Sequence, residues 1–304
     1  MSIEVTLIIT TFNEEKSIAS WCDSLIDQTL LPDEVVIVDS ESEDKTVEIF
    51  RRRLEKANIP LKCIVRKCNI SEGRNIAITN ATFDNILITD AGVSLERSWV
   101  ENMSKSLEQH NIVSGYYEFT GSVWFQKSFK RLFYKSVDNI NKNTFLPSSR
   151  SLALRRECWE KVGGYNESFL IGEDTDFDIK LKEAGYSFFF QKNAIVKWEL
   201  RSSLFKLIKQ QYLYSYWDGV IFQNTGNSKL TLLSFFTLVS LFGVLYFPLF
   251  IFALPVLFVF VNKVKKYDEL VSLPNYILDF IVLNLCYLSK GIGFLNGVIK
   301  RKLK

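Results

Sequence analysis

The sequence predicts an α/β fold with a mostly parallel sheet and helices on both of its faces, followed by a membrane-associated helical region. Three observations carry this. Short apolar runs of strand length alternate with amphipathic helical patterns through the first third of the chain. One of them, Asn85-Ile86-Leu87-Ile88-Thr89, stops abruptly at Asp90-Ala91-Gly92, as a buried parallel strand does where its carboxyl end opens into a ligand crevice. From residue 230 to residue 261 there is no charged residue, whereas the earlier positions mix charge and apolar groups as a soluble domain does.

The elements follow in order. Val5 to Thr11 is a β-rich run, and Phe12-Asn13-Glu14-Glu15 leads into a helix carrying Ile18, Trp21, Cys22, Leu25 and Ile26. A second strand, Val35-Val36-Ile37-Val38, ends at Asp39, and Ser42 or Asp44 caps the helix bearing Val47, Ile49, Phe50 and Leu54. Leu61 to Val65 is a third strand. Ser71 caps a helix through Ala77, and the strand ending at Asp90 follows. Right-handed crossovers place such strands parallel, with helices on either side.

The composition narrows the class. A chain of 304 residues, 47% hydrophobic, is long enough for one sizeable α/β domain and an appendage. A net charge of +3 argues against a nucleic-acid partner. The five cysteines form no C-x-x-C pair and read as reduced thiols, and no signal peptide precedes the first strand, so a cytosolic face is expected. The single histidine, His110, has no partners in the sequence pattern for a Ser/His/Asp triad or a zinc site.

The polar residues at the strand ends form a pattern. Thr10-Thr11-Phe12-Asn13-Glu14 follows strand one, Asp39-Ser40-Glu41-Ser42-Glu43-Asp44-Lys45-Thr46 follows strand two, and Gly73-Arg74-Asn75 opens the third helix. Over roughly the first two hundred residues the chain resembles the family 2 glycosyltransferases, nucleotide-sugar enzymes of the GT-A fold. Their second strand ends in D-x-x-S-x-D-x-T, matched here by Asp39, Ser42, Asp44 and Thr46. The resemblance implies a nucleotide-sugar site formed by Thr10, Phe12, Glu14, Asp39, Arg74, Asp90, Arg150 and Arg201. Asp39 suits a ribose hydroxyl or base edge, Phe12 can stack on the base, and Arg74 near a helix N-terminus suits a diphosphate. Asp44 serves equally as a cap or a ligand contact.

The family's strand-end D-x-D is here Asp90-Ala91-Gly92, and Trp198 stands where many metal-dependent relatives carry a histidine. Asp90 alone can still hold Mg²⁺ or Mn²⁺ through the diphosphate. The paired departure equally allows metal-independent activity, with Arg74, Arg150, Arg155 or Arg201 supplying fixed positive charge. The stretch Gly172-Glu173-Asp174-Thr175-Asp176 matches the family's second acidic motif. By resemblance Asp174 is the general base of an inverting transfer, with Glu173 second.

In the later chain, Phe125, Phe129, Leu132 and Phe133 share one face of a basic amphipathic helix, which suits either a membrane interface or packing on the protein; the downstream apolar segment favours the interface. Gln210-Gln211-Tyr212 lacks the Q-x-x-R-W of processive synthases, which implies one sugar per encounter. Residues 230–261 would span about 48 Å as one helix against a hydrocarbon core of about 30 Å. With Pro248 and Pro255 inside and Lys229, Lys263, Lys265 and Lys266 flanking, a tight hairpin returning to the cytosol is expected, with a single tilted span as the alternative. A last helix, carrying Asp279 and Lys290, is expected to lie shallowly in the interface.

The expected organisation is therefore a GT-A domain over residues 1–225, its donor half at about 1–115 and its acceptor half at about 116–225, then membrane-associated helices over 226–304. The expected function is inverting, non-processive transfer from a nucleotide-diphosphate sugar to a lipid-linked or membrane-proximal glycan, as in polysaccharide biosynthesis, on the cytoplasmic side of a membrane. Direct transfer to polyprenyl phosphate, and a non-catalytic nucleotide-sugar-binding scaffold, are the alternatives.

Overall fold

The computed structural model describes residues 3–134, 136–141, 145–221, 254–265 and 272–303. Two compact units divide the chain: Met1–Glu118 with Lys135–Glu199, and Phe119–Tyr134 with Leu200–Lys304.

In the first unit β1 (Val5–Thr11), α1 (Ile18–Ile26), β2 (Glu34–Asp39), α2 (Thr46–Lys56), β3 (Leu61–Val65), α3 (Ile70–Asn80) and β4 (Asn85–Asp90) form the parallel half of the sheet. There follow β5 (Val93–Leu95), α4 (Trp99–Leu107), β6 (Ile112–Thr120), β7 (Leu152–Arg155), α6 (Arg156–Lys161), α7 (Glu173–Glu183) and β8 (Phe189–Glu199). The strand order is β3-β2-β1-β4-β7-β6-β8-β5. The β4–β7, β6–β7 and β5–β8 pairs are antiparallel. This is the mixed sheet of a GT-A fold.

The period of two along each central strand sorts its side chains into two layers. Val5, Leu7, Ile9, Val35 and Ile37 face Trp21, Leu25, Phe50 and Leu54 of α1 and α2. Ile8, Val36, Val38, Ile86 and Ile88 face Ala77, Ile78, Phe177 and Leu181 of α3 and α7. Burial on both faces is why these strands read as continuous apolar runs rather than as alternating ones.

A helix boundary differs from the sequence reading. The cap of α3 is Asn69, whose side chain accepts from the Glu72 N–H while the Glu72 carboxylate accepts from the Asn69 N–H. Ser71 lies inside the helix. The last strand runs Phe189–Glu199, and the short β5 pairs with it.

The second unit contains α5 (Trp124–Phe133), α8 (Leu204–Ile221), α9 (Leu254–Val264) and α10 (Leu273–Lys302). The apolar face of α5 is covered: Phe125, Phe129 and Leu132 pack with Leu207, Val282, Leu283, Cys286 and Tyr287. That face belongs to a protein core, which replaces the expectation of a membrane interface for it. Asp279, fully buried, accepts from Arg131 Nε at 2.9 Å and Nη2 at 2.5 Å, so the charge that argued for shallow insertion of α10 is paired. The helices α8 and α10 approach so closely that a Cβ on Gly297 would lie 2.0 Å from the Tyr216 carbonyl, and one on Gly293 2.3 Å from that of Tyr212. Such small-residue contacts are a packing mode of membrane helices. With 30 residues, α10 is about 45 Å long, and among the described residues it is the helix long and apolar enough to cross a membrane. Pro255 lies in the described part of α9. Lys229, Pro248, Lys266 and most of the expected hairpin lie outside the described residues.

Candidate active site

The carboxyl ends of β1, β2 and β4 lie side by side, with Thr11 paired to Asp39 and Thr10 to Asp90 in register. At the β2 end, Asp39 is fully buried and ties the two loops together. Its carboxylate accepts from Thr11 Oγ1 at 2.8 Å and from the Ser42 N–H and hydroxyl at 2.7 and 2.6 Å. Ser42 in turn accepts from the Asn13 N–H, and Thr46 Oγ1 from the Glu14 N–H. The matched D-x-x-S-x-D-x-T residues thus shape the first loop as a unit, with Asp44 accepting from the N–H groups of Thr46 and Glu15. Glu14 accepts from the Ser17 hydroxyl. Phe12 is 59% exposed, which leaves its ring presented to solvent at the crevice.

Four of the expected residues, Arg74, Asp90, Glu173 and Asp174, meet at one point. Gly73 lets α3 come close to β1: a Cβ there would lie 2.9 Å from Thr10 Cγ2. Arg74, 2% exposed, then reaches under the strand end. Its Nη1 donates to Glu173 at 2.8 Å and to Asp174 at 2.9 Å, and its Nη2 to Asp90 at 2.9 Å. The sequence reading expects Arg74 near the diphosphate; in the structure its guanidinium is engaged by three carboxylates.

The two acidic residues reach this point because Gly172, at φ 87°, turns the chain into α7, and Glu173 and Asp174 occupy the first turn, where the helix dipole favours carboxylates. Asp174 also accepts from the Ser149 N–H at 3.2 Å and the Ser148 hydroxyl at 3.3 Å. Burial acts to raise the Asp174 carboxyl, but Arg74 and the Ser149 donors outweigh it and hold it below the usual range. Burial, then the neighbouring Asp174 charge, push Glu173 up. One helical turn on, Asp178 is pushed well up, first by burial and then by Asp174. Arg74 and the Ser149 donors thus hold the Asp174 carboxyl down, while those of Glu173 and Asp178 beside it are pushed up.

Arg150 stands on the other side of Asp90. The antiparallel register that pairs Ile88 with Leu152 brings the turn before β7 beside the end of β4, and Thr89 Oγ1 donates to the Arg150 carbonyl at 3.0 Å. The Arg150 guanidinium is 4.1 Å from the Trp198 ring centre and 5.7 Å from that of Tyr117, and its Nε is 3.7 Å from Asp90. Arg201 belongs to the second unit.

Sequence reasoning missed Ser148, Ser149 and Tyr165. The Tyr165 hydroxyl lies 2.8 Å from Ser149 Oγ and its ring under Arg74. The sign for Tyr165 is the Gly163-Gly164 pair before it: both are left-handed, at φ 73° and 72°, and swing the chain so that Asn75 clasps the Tyr165 backbone N–H and carbonyl at 2.9 Å each.

The residues present do not fit a dedicated divalent-ion site. All three carboxylates gathered here accept from Arg74, and Asp90, the residue expected to hold an ion, also lies 3.7 Å from Arg150 Nε, so it already answers two cations. The space beside Gly92 holds no atom within 4 Å of an added Cβ, and Trp198 offers no ligand atom for a metal. Among the described residues no group of three or more His, Cys, Asp and Glu side chains is arranged to hold an ion.

Comparison with known proteins accords with this geometry. The sequence matches Glycosyl transferase family 2 over residues 6–163 and Glycosyl transferase family group 2 over residues 97–265. A Methanococcus voltae relative is 24% identical, with 97% of each chain covered: dolichyl N-acetyl-α-D-glucosaminyl phosphate 3-β-D-2,3-diacetamido-2,3-dideoxy-β-D-glucuronosyltransferase. The O-antigen chain rhamnosyltransferase RfbN of Salmonella typhimurium is 24% identical over 64% of this chain and 66% of its own. The chain spans 27% of Streptococcus pneumoniae glycosyltransferase GlyA, at 26% identity over 60% of this chain. In fold it is similar to the mannosyltransferase PcManGT of Pyrobaculum calidifontis, solved with GDP-Man and Mn²⁺, at TM-score 0.54 and 16% identity over 98% of this chain and 74% of that one. It is also similar to S. aureus TarS 1–349 in complex with UDP-GlcNAc, at TM-score 0.52 and 18% identity over 70% and 66%. A sheet whose strand ends gather the family's acidic motifs, in a chain matched along more than half its length, makes this protein a member of glycosyl transferase family 2, an enzyme that transfers sugars.

Proposed function

We propose that the protein transfers a sugar, with inversion, from a nucleotide-diphosphate sugar to a lipid-linked acceptor at the cytoplasmic face of a membrane. The observation that carries this is the meeting of Asp90, Glu173 and Asp174 on Arg74 at the carboxyl end of β4. Asp174 is the base. Held ionised at neutral pH, it takes the proton of the acceptor hydroxyl as that oxygen bonds to the anomeric carbon. The bond from that carbon to the diphosphate breaks on the opposite face, and its electron pair leaves with the nucleoside diphosphate. A depressed pKa makes Asp174 a modest base, so positioning does most of the work: Arg74 and the Ser149 N–H fix the direction in which its lone pairs point. Phe12 and the loop tied by Asp39 receive the nucleoside.

The acceptor class is supported by two features. The Methanococcus voltae relative, matched over 97% of both chains, bears a name that places its acceptor on a dolichyl phosphate. The helix α10 is long and apolar enough to cross a membrane and ends in Lys300, Arg301 and Lys302, which favours the cytoplasmic side for that end. One sugar is added per encounter.

The test is transfer of radiolabelled sugar from UDP-, GDP- and dTDP-sugars into a polyprenyl-linked saccharide fraction by detergent-purified protein. The proposal expects label in the lipid phase from one donor. Label only in water-soluble glycan would remove the lipid-linked acceptor, and label transferred to bare polyprenyl phosphate would replace it.

A further inference from the structure

We infer that Arg150, seated on Trp198, is the cation that meets the donor's diphosphate, and that donor binding here needs no divalent ion. This rests on the donor-binding reading above and assigns a role within it.

The positive groups named by the sequence differ sharply in place. Arg74 is buried and engaged by three carboxylates. Arg155 lies at the far end of β7, paired in register with Asn85 and donating to the carbonyls of Leu107 and Glu108, about 16 Å of strand away from Asp90. Arg201 belongs to the second unit. Arg150 stands beside Asp90 at the carboxyl end of β4, with its side chain 21% exposed.

Its setting is built rather than incidental. The turn that carries it is closed by the Ser151 N–H donating to the Ser148 carbonyl at 2.9 Å, and Thr89 pins its backbone to β4. The guanidinium lies over the Trp198 ring at 4.1 Å and over that of Tyr117 at 5.7 Å, and the two rings meet edge-on at 5.9 Å and 80°. Register explains why Trp198 is there: it pairs with Val93, the residue after Gly92. Positions 92 and 198 are therefore neighbours in space. One offers open room and the other an aromatic platform for a cation, so two positions unsuited to a metal are a single arrangement suited to an arginine.

A planar guanidinium held by its face directs its N–H groups outward in the plane, the geometry that suits two phosphate oxygens at once. Arg150 Nη1 donates to the Ser148 hydroxyl at 2.9 Å, and a diphosphate, a stronger acceptor, can take over that donor.

The experiment titrates UDP, GDP and dTDP, and their sugars, into detergent-purified full-length protein by calorimetry, with EDTA or with Mn²⁺. The expected result is one nucleotide bound about equally in both conditions. Arg150→Ala then weakens that binding by about tenfold to a hundredfold, the range of a charge-assisted hydrogen bond, without restoration by Mn²⁺. Arg150→Lys, which keeps the charge but not the planar fork, falls between, and this graded series separates lost contact from lost folding. Trp198→Ala weakens binding in the same direction. Wild-type binding that vanishes in EDTA and returns with Mn²⁺ overturns the inference, as does an Arg150→Ala variant that binds like the wild type. If no nucleotide binds the wild type in either condition, the donor-binding reading falls and the inference with it. If a nucleotide binds and Arg150 proves irrelevant, the inference falls alone.

Discussion

Replacing Arg74 by Met is the sharpest perturbation of the site's architecture, because it keeps much of the apolar stem and removes one charge from beneath three. Arg74 is 2% exposed and makes hydrogen bonds of 2.8–2.9 Å to Glu173, Asp174 and Asp90. Removing one partner from a buried ion pair costs about 3–5 kcal/mol, since the remaining charge is left unpaired. For a unit of this size that corresponds to a fall in Tm of about 6–20 °C. The effect has a pH signature. With Arg74 in place the Asp174 carboxyl is depressed, so its stabilisation is present above the unfolded carboxyl pKa and is lost as pH falls through the folded one. Without Arg74 the burial that acts to raise the same carboxyl loses its main counterweight. The variant's deficit is then largest near pH 8 and shrinks toward pH 5 as the cluster takes up protons. Thermal unfolding of both proteins across that range, followed by tryptophan fluorescence, measures it. A deficit of less than about 2 °C, or one that is constant with pH, would refute the claim that Arg74 holds the cluster electrostatically.

With Asp174 as base, kcat/KM shows no acid limb within the usual carboxylate range, because Arg74 and the Ser149 donors hold its carboxyl below that range; an acid limb above the usual carboxylate range would transfer the role to Glu173, whose carboxyl is raised. In the second unit, Gly297→Ala forces a Cβ to 2.0 Å from the Tyr216 carbonyl and destabilises the α8–α10 pair by about 1–3 kcal/mol, whereas Leu295→Ala, at a 47% exposed position, changes the melting temperature little.

The parallel half of the sheet was legible because its strands are buried on both faces and appear as unbroken apolar runs ending in polar turns. β5 and β8 were harder to read: three residues are too few to show a period, and Gln191-Lys192-Asn193 interrupts the apolar pattern of the longer strand. The amphipathic face of α5 was visible, but a helical period does not say what covers the face, and here α8 and α10 do. The acidic residues were found by their motifs. Which arginine answers them was not readable, since burial decides it: Gly73 admits Arg74 beneath the carboxylates, and strand register brings Arg150 beside them. Asp39, expected to grip the nucleoside, is fully buried and ties together the loops that flank the crevice, through Ser42 of its own D-x-x-S-x-D-x-T motif and through Thr11 at the end of β1.

The most direct measurement of the central claim is nucleoside diphosphate release during turnover by wild-type protein and by Asp174→Asn, with donor affinity determined in parallel by calorimetry. If Asp174 is the base, the variant binds donor within about twofold of the wild type while turnover falls by about a hundredfold to ten-thousandfold. Turnover that survives the substitution, with donor binding intact, would contradict the account and point to an acceptor that needs no proton removed.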